Sequence, residues 1–244
     1  MGFKVKKLQI TPLLLIDVII PAFNEENSIK NVINDIPSNL VRDVIVVDNN
    51  SFDLTSKIAS SAGALVLSES TQGYGSACKR GVDYLKTRPV LPDVVVFLDA
   101  DYSDYPEQLV RLVNPIKNSG FDMVLGSRTK GKVAKNAMPF QQRFGNWLAT
   151  YMISLFFGHK FSDLGPFRAI KFKKLLELNM QDKTYGWTVE MQLKALKRKL
   201  KIIEIPVDYR LRIGESKISG TLKGSILAGY KIISTIFKYL YIRT

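Results

Sequence analysis

The sequence holds one cysteine, Cys78, and one histidine, His159, among 244 residues. A single cysteine excludes an internal disulfide and a cysteine-based metal centre, and it fits a reducing compartment. His159 stands beside an apolar stretch and reads as interfacial or structural. Long hydrophobic runs are also lacking. Residues 13–20 are apolar but broken by Asp17. That stretch is too short to cross a bilayer and has no signal-peptide cleavage pattern. Acidic residues are outnumbered, 22 against 35 basic, for a net charge of +13. The imbalance points to anionic partners: phosphates, nucleic acid or an acidic membrane surface. With no repeat, low-complexity tract or abrupt shift in composition, the chain reads as one α/β domain or one domain with an appendage.

What is present is organised around residues 94–101, Val-Val-Val-Phe-Leu-Asp-Ala-Asp. The apolar run is too short for a helix and rich in β-branched residues, so it reads as a buried strand. Asp99 and Asp101 fall just beyond its carboxyl end, where open α/β sheets bind ligands. Two hard oxygen ligands there suit Mg²⁺ or Mn²⁺, completed by substrate phosphates. Further strands are expected at residues 14–20, 44–47, 64–67 and 123–126. Helices are expected between them, the first carrying Ile29, Val32, Ile33 and Ile36 and capped by Asn24 or Asn27. Asp53 and Thr55 open the second. Gly73 and Gly75 precede a third with Cys78, Val82 and Leu85, and Pro106 starts a fourth. This alternation predicts a mixed, mostly parallel sheet flanked by helices.

The second half reads differently. Residues 129–139 form a basic loop without a clear period. Phe144, Trp147, Leu148, Tyr151, Met152 and Leu155 share one helical face. Residues 161–168 are turn-rich, residues 185–196 helical, and 202–205 a strand. A basic loop at 210–217 precedes a tail helix from Leu222 rich in Ile, Leu, Phe and Tyr.

Three strand ends thus carry polar or acidic groups on one edge: Asn24-Glu25, Asp48, and Asp99 with Asp101. With Val18-Ile19-Ile20-Pro21-Ala22-Phe23, Val46-Val47-Asp48-Asn49-Asn50-Ser51, Asp163-Leu164-Gly165-Pro166-Phe167-Arg168 and Arg212-Ile213-Gly214-Glu215-Ser216-Lys217, this spacing resembles the family 2 glycosyltransferases of GT-A fold. Within them it is similar to the dolichyl- and polyprenyl-phosphate sugar synthases. The matching stretches span residues 16–217.

The resemblance implies a catalytic domain over residues 1–221; the basic and aromatic residues of 222–244 read as an amphipathic helix for the membrane interface. The resemblance also implies that Pro21, Ala22 and Glu25 line a nucleotide pocket with Asn50. Asp48 either binds base or ribose or caps the next helix. Asp99, Ala100 and Asp101 hold the sugar nucleotide, the two carboxylates through Mg²⁺ or Mn²⁺. Gly73 and Gly75 either admit backbone to the nucleotide or simply turn the chain. Lys79 either reaches a phosphate or lies on a solvated face. Arg128, Arg168, Arg212 and Lys217 are candidate phosphate clamps, because guanidinium offers a planar fork of donors. Asp163 and Glu190 compete as catalytic base. Two departures stand out. The family often has a second acid where this chain has Asn49. In the Asp163 turn, glycine comes two residues after the aspartate and Pro166 precedes Phe167.

The implied reaction is inverting transfer of a hexose from a UDP- or GDP-sugar to a polyprenyl or dolichyl phosphate. Such an acceptor has a second pKa of about 6, so its oxygen is already anionic at neutral pH and needs no strong base. Asp163 then orients acceptor or sugar rather than removing a proton. A saccharide or other hydroxyl acceptor is the alternative, and it would make Glu190 essential. Lysines and aromatics in the two apolar helices suit a peripheral position on the cytoplasmic face of a membrane, or packing on the core. A nucleic-acid partner is not expected. The basic residues are dispersed, no nucleic-acid motif appears, and acidic strand ends repel phosphate without a metal.

Overall fold

The computed structural model describes residues 14–214 and 222–242. Seven strands form one sheet: β1 (Ile16–Ala22), β2 (Asp43–Asp48), β3 (Leu65–Ser68), β4 (Val94–Phe97), β5 (Met123–Ser127), β6 (Arg168–Lys171) and β7 (Ile202–Pro206). Their order is β3-β2-β1-β4-β6-β5-β7. All neighbours run parallel except β6, which is antiparallel to both β4 and β5. Eight α-helices are described: α1 (Ile29–Asp35), α2 (Thr55–Ser61), α3 (Tyr74–Lys86), α4 (Leu109–Ser119), α5 (Phe140–Phe157), α6 (Phe172–Leu178), α7 (Trp187–Lys197) and α8 (Leu222–Tyr241).

The continuous apolar strands are explained by burial on both faces. Successive side chains alternate sides. Ile19, Ile45, Val47, Val95 and Phe97 join one core with residues of α3, α5, α7 and α8. Val18, Ile20, Val46, Val94 and Val96 join a second with residues of α1 and α4. Because β1, β2 and β4 are parallel, their carboxyl ends meet on one edge, where Ala22, Asp48 and the Asp99–Asp101 loop lie.

Three features differ from the sequence reading. Neither Asn24 nor Asn27 caps α1. Ser28 occupies that position without a side-chain cap bond, and the Glu25 carbonyl accepts the amides of Ser28 and Ile29. Asn24, at φ +53°, instead accepts Phe52 N through Oδ1. Strand β6 was not expected, because four residues with charged ends carry no period, yet Ala169 and Ile170 are fully buried. Helix α6, only seven residues long, was also missed. Helix α8 covers Leu222–Tyr241 of the expected tail. This helix packs on α5 and α7, with Ile236 and Tyr239 in the core.

Candidate active site

The β1 and β2 ends are knitted together by short polar bonds. Asn24 N donates to Ser51 Oγ at 2.9 Å, Glu25 N to Thr55 Oγ1 at 2.7 Å and Leu54 N to Glu26 Oε2 at 3.0 Å. Pro21 and Ala22 pair in register with Val47 and Asp48. Asp48 is almost buried and accepts Ser51 N at 3.3 Å. The acid at the start of α2 is Asp53, which accepts Thr55 N at 2.9 Å. Asn50 is exposed in the left-handed region at φ +68°.

Asn49 is occupied by the chain itself. Its Nδ2 donates to the carbonyls of Glu69 and Thr71, and its Oδ1 accepts Gly73 N at 2.7 Å. A carboxylate there has no donor for either carbonyl, which explains the departure from an acid in terms of this loop. Gly73 and Gly75 are required by a close approach, but from protein. A Cβ on Gly73 would lie 2.2 Å from Lys183 O, and one on Gly75 2.1 Å from Asp182 O.

Beyond β4, the carboxylates are arranged for a cation. Asp99 Oδ1 is buried with no hydrogen-bond partner. Burial, then the neighbouring charge of Asp101, push the Asp99 carboxyl up to about 7. Asp101 Oδ1 accepts Ser103 N at 2.9 Å and Ser103 Oγ at 2.6 Å, while its Oδ2 meets Arg212 Nη1 at 2.9 Å. Asp104 is buried with both oxygens unpartnered, and burial, then Asp99, push its carboxyl well above the usual range. Even with Arg212 on Asp101, the positive charge here does not offset the burial of Asp99 and Asp104. Among the described residues no three His, Cys, Asp or Glu side chains converge as a complete metal cage. Asp99 and Asp101 therefore fit an ion that takes its remaining ligands from water and phosphate, as Mg²⁺ and Mn²⁺ do.

The candidate bases and clamps are largely engaged by protein groups. Arg128 is buried and grips Asp163 bidentately, Nε to Oδ2 at 2.8 Å and Nη2 to Oδ1 at 2.7 Å; its backbone amide adds a third bond to Oδ2. Its guanidinium lies 5.1 Å from the centre of the Tyr209 ring. Arg168 is buried and donates to the carbonyls of Gly165, Pro166 and Thr188; burial holds it down to about 10. It thus pins the 163–168 turn rather than presenting donors to a ligand. Glu190 is buried on α7. It accepts Gln181 N and Asp182 N, accepts Tyr239 OH at 2.7 Å and pairs with Lys194 at 2.7 Å. Lys79 is half-exposed and paired with Asp83 at 2.8 Å. Lys217 lies outside the described residues.

The glycosyl transferase family 2 model matches residues 17–178. The chain belongs to glycosyl transferase family 2. An uncharacterized glycosyltransferase of Mycobacterium tuberculosis is 34% identical over 223 residues, covering 90% of this chain and 98% of that protein. The dolichyl-phosphate hexose transferase of Haloferax volcanii is 30% identical over 215 residues, covering 86% and 89%. The UDP-N-acetylglucosamine–dolichyl-phosphate N-acetylglucosaminyltransferase of Methanococcus voltae is 29% identical over 240 residues, covering 89% and 93%. Among solved structures, glucosyl-3-phosphoglycerate synthase of M. tuberculosis, crystallised with Mn²⁺, UDP and glucosyl-3-phosphoglycerate, superposes with a TM-score of 0.72 at 23% identity. That match covers 94% of this chain and 81% of the other. The sheet is accordingly the GT-A fold that the sequence led us to expect.

Several residues of this glycosyltransferase's site escaped the sequence reading. Tyr74 and Cys78 on α3 lie beside Asp99; burial, then the Asp99 charge, push both hydroxyl and thiol up. No local pattern marked them. Ser103, Asp104 and Tyr105 directly follow the paired carboxylates, a position that was signal enough. Arg210 lies 3.3 Å and 4.2 Å from the ring centres of Tyr102 and Tyr105 and ties the 207–213 segment to this loop.

The glycosyltransferase also carries an exposed apolar face. Helix α5 buries Ala149, Thr150 and Ile153 and turns large apolar side chains outward, with Phe140 75%, Trp147 58% and Leu155 63% exposed. Phe140, Phe144, Trp147 and Tyr151 form a continuous row with ring centres 5.8–6.2 Å apart. Phe156 meets Phe237 of α8, whose Ile226, Leu227 and Tyr230 are also exposed. Neither helix contains an acidic residue.

Proposed function

We propose that the enzyme transfers a hexose from a UDP- or GDP-sugar to a polyprenyl or dolichyl phosphate, with inversion, at the cytoplasmic face of a membrane. The observation that carries this reading is the state of the two acids that could serve as base. The Asp163 carboxylate is held by Arg128, and that of Glu190 by Lys194, Tyr239 and two amides. A hydroxyl acceptor has a high pKa and needs a base. A lipid monophosphate, with its second pKa of about 6, arrives as an anion. Its oxygen attacks the anomeric carbon from the face opposite the nucleotide, and the bond to the diphosphate breaks. An α-linked donor then gives a β-linked lipid phosphate.

The protein's contribution is positioning and charge. The β1–β2 edge with Asp48 receives the nucleoside. Asp99 and Asp101 would hold Mg²⁺ or Mn²⁺, which neutralises the departing diphosphate. The Asp163–Arg128 pair fixes the turn that borders acceptor and sugar. The aromatic face of α5 and α8 places the enzyme at the lipid headgroups, where amphipathic aromatic and basic helices partition. No helix among the described residues is long and apolar enough to cross a membrane. The named activities of the archaeal relatives support the same acceptor class.

The test is turnover of a panel of UDP- and GDP-sugars with Mn²⁺ or Mg²⁺, with and without polyprenyl phosphate. The expected result is a β-linked sugar lipid that disappears with EDTA. Transfer only to a saccharide or to phosphoglycerate would overturn the lipid acceptor, and an α-linked product would overturn single displacement.

A further inference from the structure

We propose that Arg212 is a resident counter-ion for Asp101 that metal and donor diphosphate displace together, so that the two ligands bind as one coupled event. The inference rests on the donor-site reading above and adds a mechanism of metal uptake. Both Asp101 oxygens are engaged within the protein: Oδ1 by the amide and hydroxyl of Ser103, Oδ2 by Arg212 at 2.9 Å. A divalent ion approaching Asp101 therefore meets a guanidinium already in place. Arginine cannot give up its proton to ease the conflict. It has to move, or the ion binds against its charge.

Backbone and side chain are held differently here. The backbone of the 207–213 segment is fastened along the carboxylate loop, Ile213 N to Asp101 O and Arg210 N to Ser103 O, each at 2.9 Å. Arg210 adds donations to Tyr102 O at 2.7 Å and Asp104 O at 3.1 Å. Arg212 thus hangs from an anchored backbone, but its side chain retains 27% exposure. Arg128 and Arg168 differ: both are buried, one clamped on Asp163 and the other among carbonyls. Arg212 is the most exposed of these three arginines, held by Asp101 and Tyr209. A diphosphate beside Asp101 offers its guanidinium a better, bidentate partner. Nucleotide binding then removes the cation that opposes the metal. By linkage, each ligand strengthens the other by the same factor.

The experiment is a Mn²⁺ titration of the full chain followed by electron paramagnetic resonance, without nucleotide, with UDP and, in a parallel series, with GDP. Wild type, Arg212→Gln and Arg212→Lys are compared, with thermal melting to confirm folding. In wild type, one of the nucleotides is expected to tighten Mn²⁺ by about tenfold or more, within the usual range of coupling between sites. Arg212→Gln should bind Mn²⁺ alone about tenfold more tightly than wild type and gain less from nucleotide. Arg212→Lys keeps a cation and should keep weak binding of Mn²⁺ alone. If wild type and Arg212→Gln bind Mn²⁺ alone equally and respond equally to nucleotide, the exchange is overturned and the donor site stands. If no form takes up Mn²⁺ even with nucleotide, both readings fail.

Discussion

The carboxylate edge and the outer face of α5 and α8 solve opposite problems. On the edge, polar groups are buried and tightly specified: Asn49 makes three bonds to the chain, and Asp101 is held on both oxygens. On the outer face, large aromatics stand exposed with ring neighbours and no covering element among the described residues. The first region spends protein contacts in advance so that a small, highly charged ligand meets fixed dipoles. The second leaves contact area unspent, which suits a broad and fluid partner. The soluble donor and lipid acceptor proposed above call for this division.

The sharpest way to break the comparison is at the edge. Asp101→Asn should lower turnover by about 10²–10³-fold, the scale for loss of one preorganised electrostatic group at developing charge. Melting temperature should change little by comparison. Turnover close to wild type would remove Asp101 from the chemistry. A smaller effect is expected on the outer face. Burying the exposed half of one aromatic side chain, about 100 Å², is worth about 2 kcal/mol. The single change Trp147→Gln should therefore lower vesicle binding, and turnover on vesicle-borne acceptor, by about thirtyfold. Turnover on a short-chain acceptor dispersed in detergent should persist. An equal loss in both assays would show that the stripe supports the fold rather than membrane contact.

These two regions were unequally legible. The edge could be read because its signal is local: apolar β-branched runs ending in acids identify both strand and ligand end, and β1, β2 and β4 follow from them. Even there, pairing was invisible. Nothing in the sequence says that Arg128 and Asp163, or Arg212 and Asp101, meet, since those contacts join distant segments through β6 and the 207–213 loop. Strand β6 itself had no period to detect. On the outer face the helical stripe was evident, but periodicity does not say which way a stripe points. The small residues Ala149 and Thr150 mark the buried side of α5, and the aromatics the open one. Glu190 shows the converse: an acid at a plausible site position, three of whose four partners were unreadable because two are backbone amides and one comes from α8, leaving only the i,i+4 pair with Lys194 to helical spacing.

The smallest expected effect sharpens the comparison from inside the edge. Asp104 is buried without a partner, and burial, then Asp99, hold its carboxyl well above the ordinary value. In the unfolded chain it ionises near pH 3.9. An acid whose folded pKa is raised folds most easily when protonated. Its cost is therefore absent below the unfolded value and grows as pH rises toward the folded one. Asp104→Asn removes that ionisation. In metal-free buffer the variant should melt with wild type near pH 4 and above it at pH 8. A buried unsatisfied group costs about 1–3 kcal/mol, and each kcal/mol corresponds to about 2–4 °C for a domain of this size. Saturating Mn²⁺ with UDP should shrink the difference, because positive charge at Asp99 and Asp101 lowers the cost of ionising a neighbouring carboxylate. Equal melting temperatures at both pH values would mean that Asp104 titrates as an ordinary acid, and that the edge is less short of positive charge than its geometry indicates.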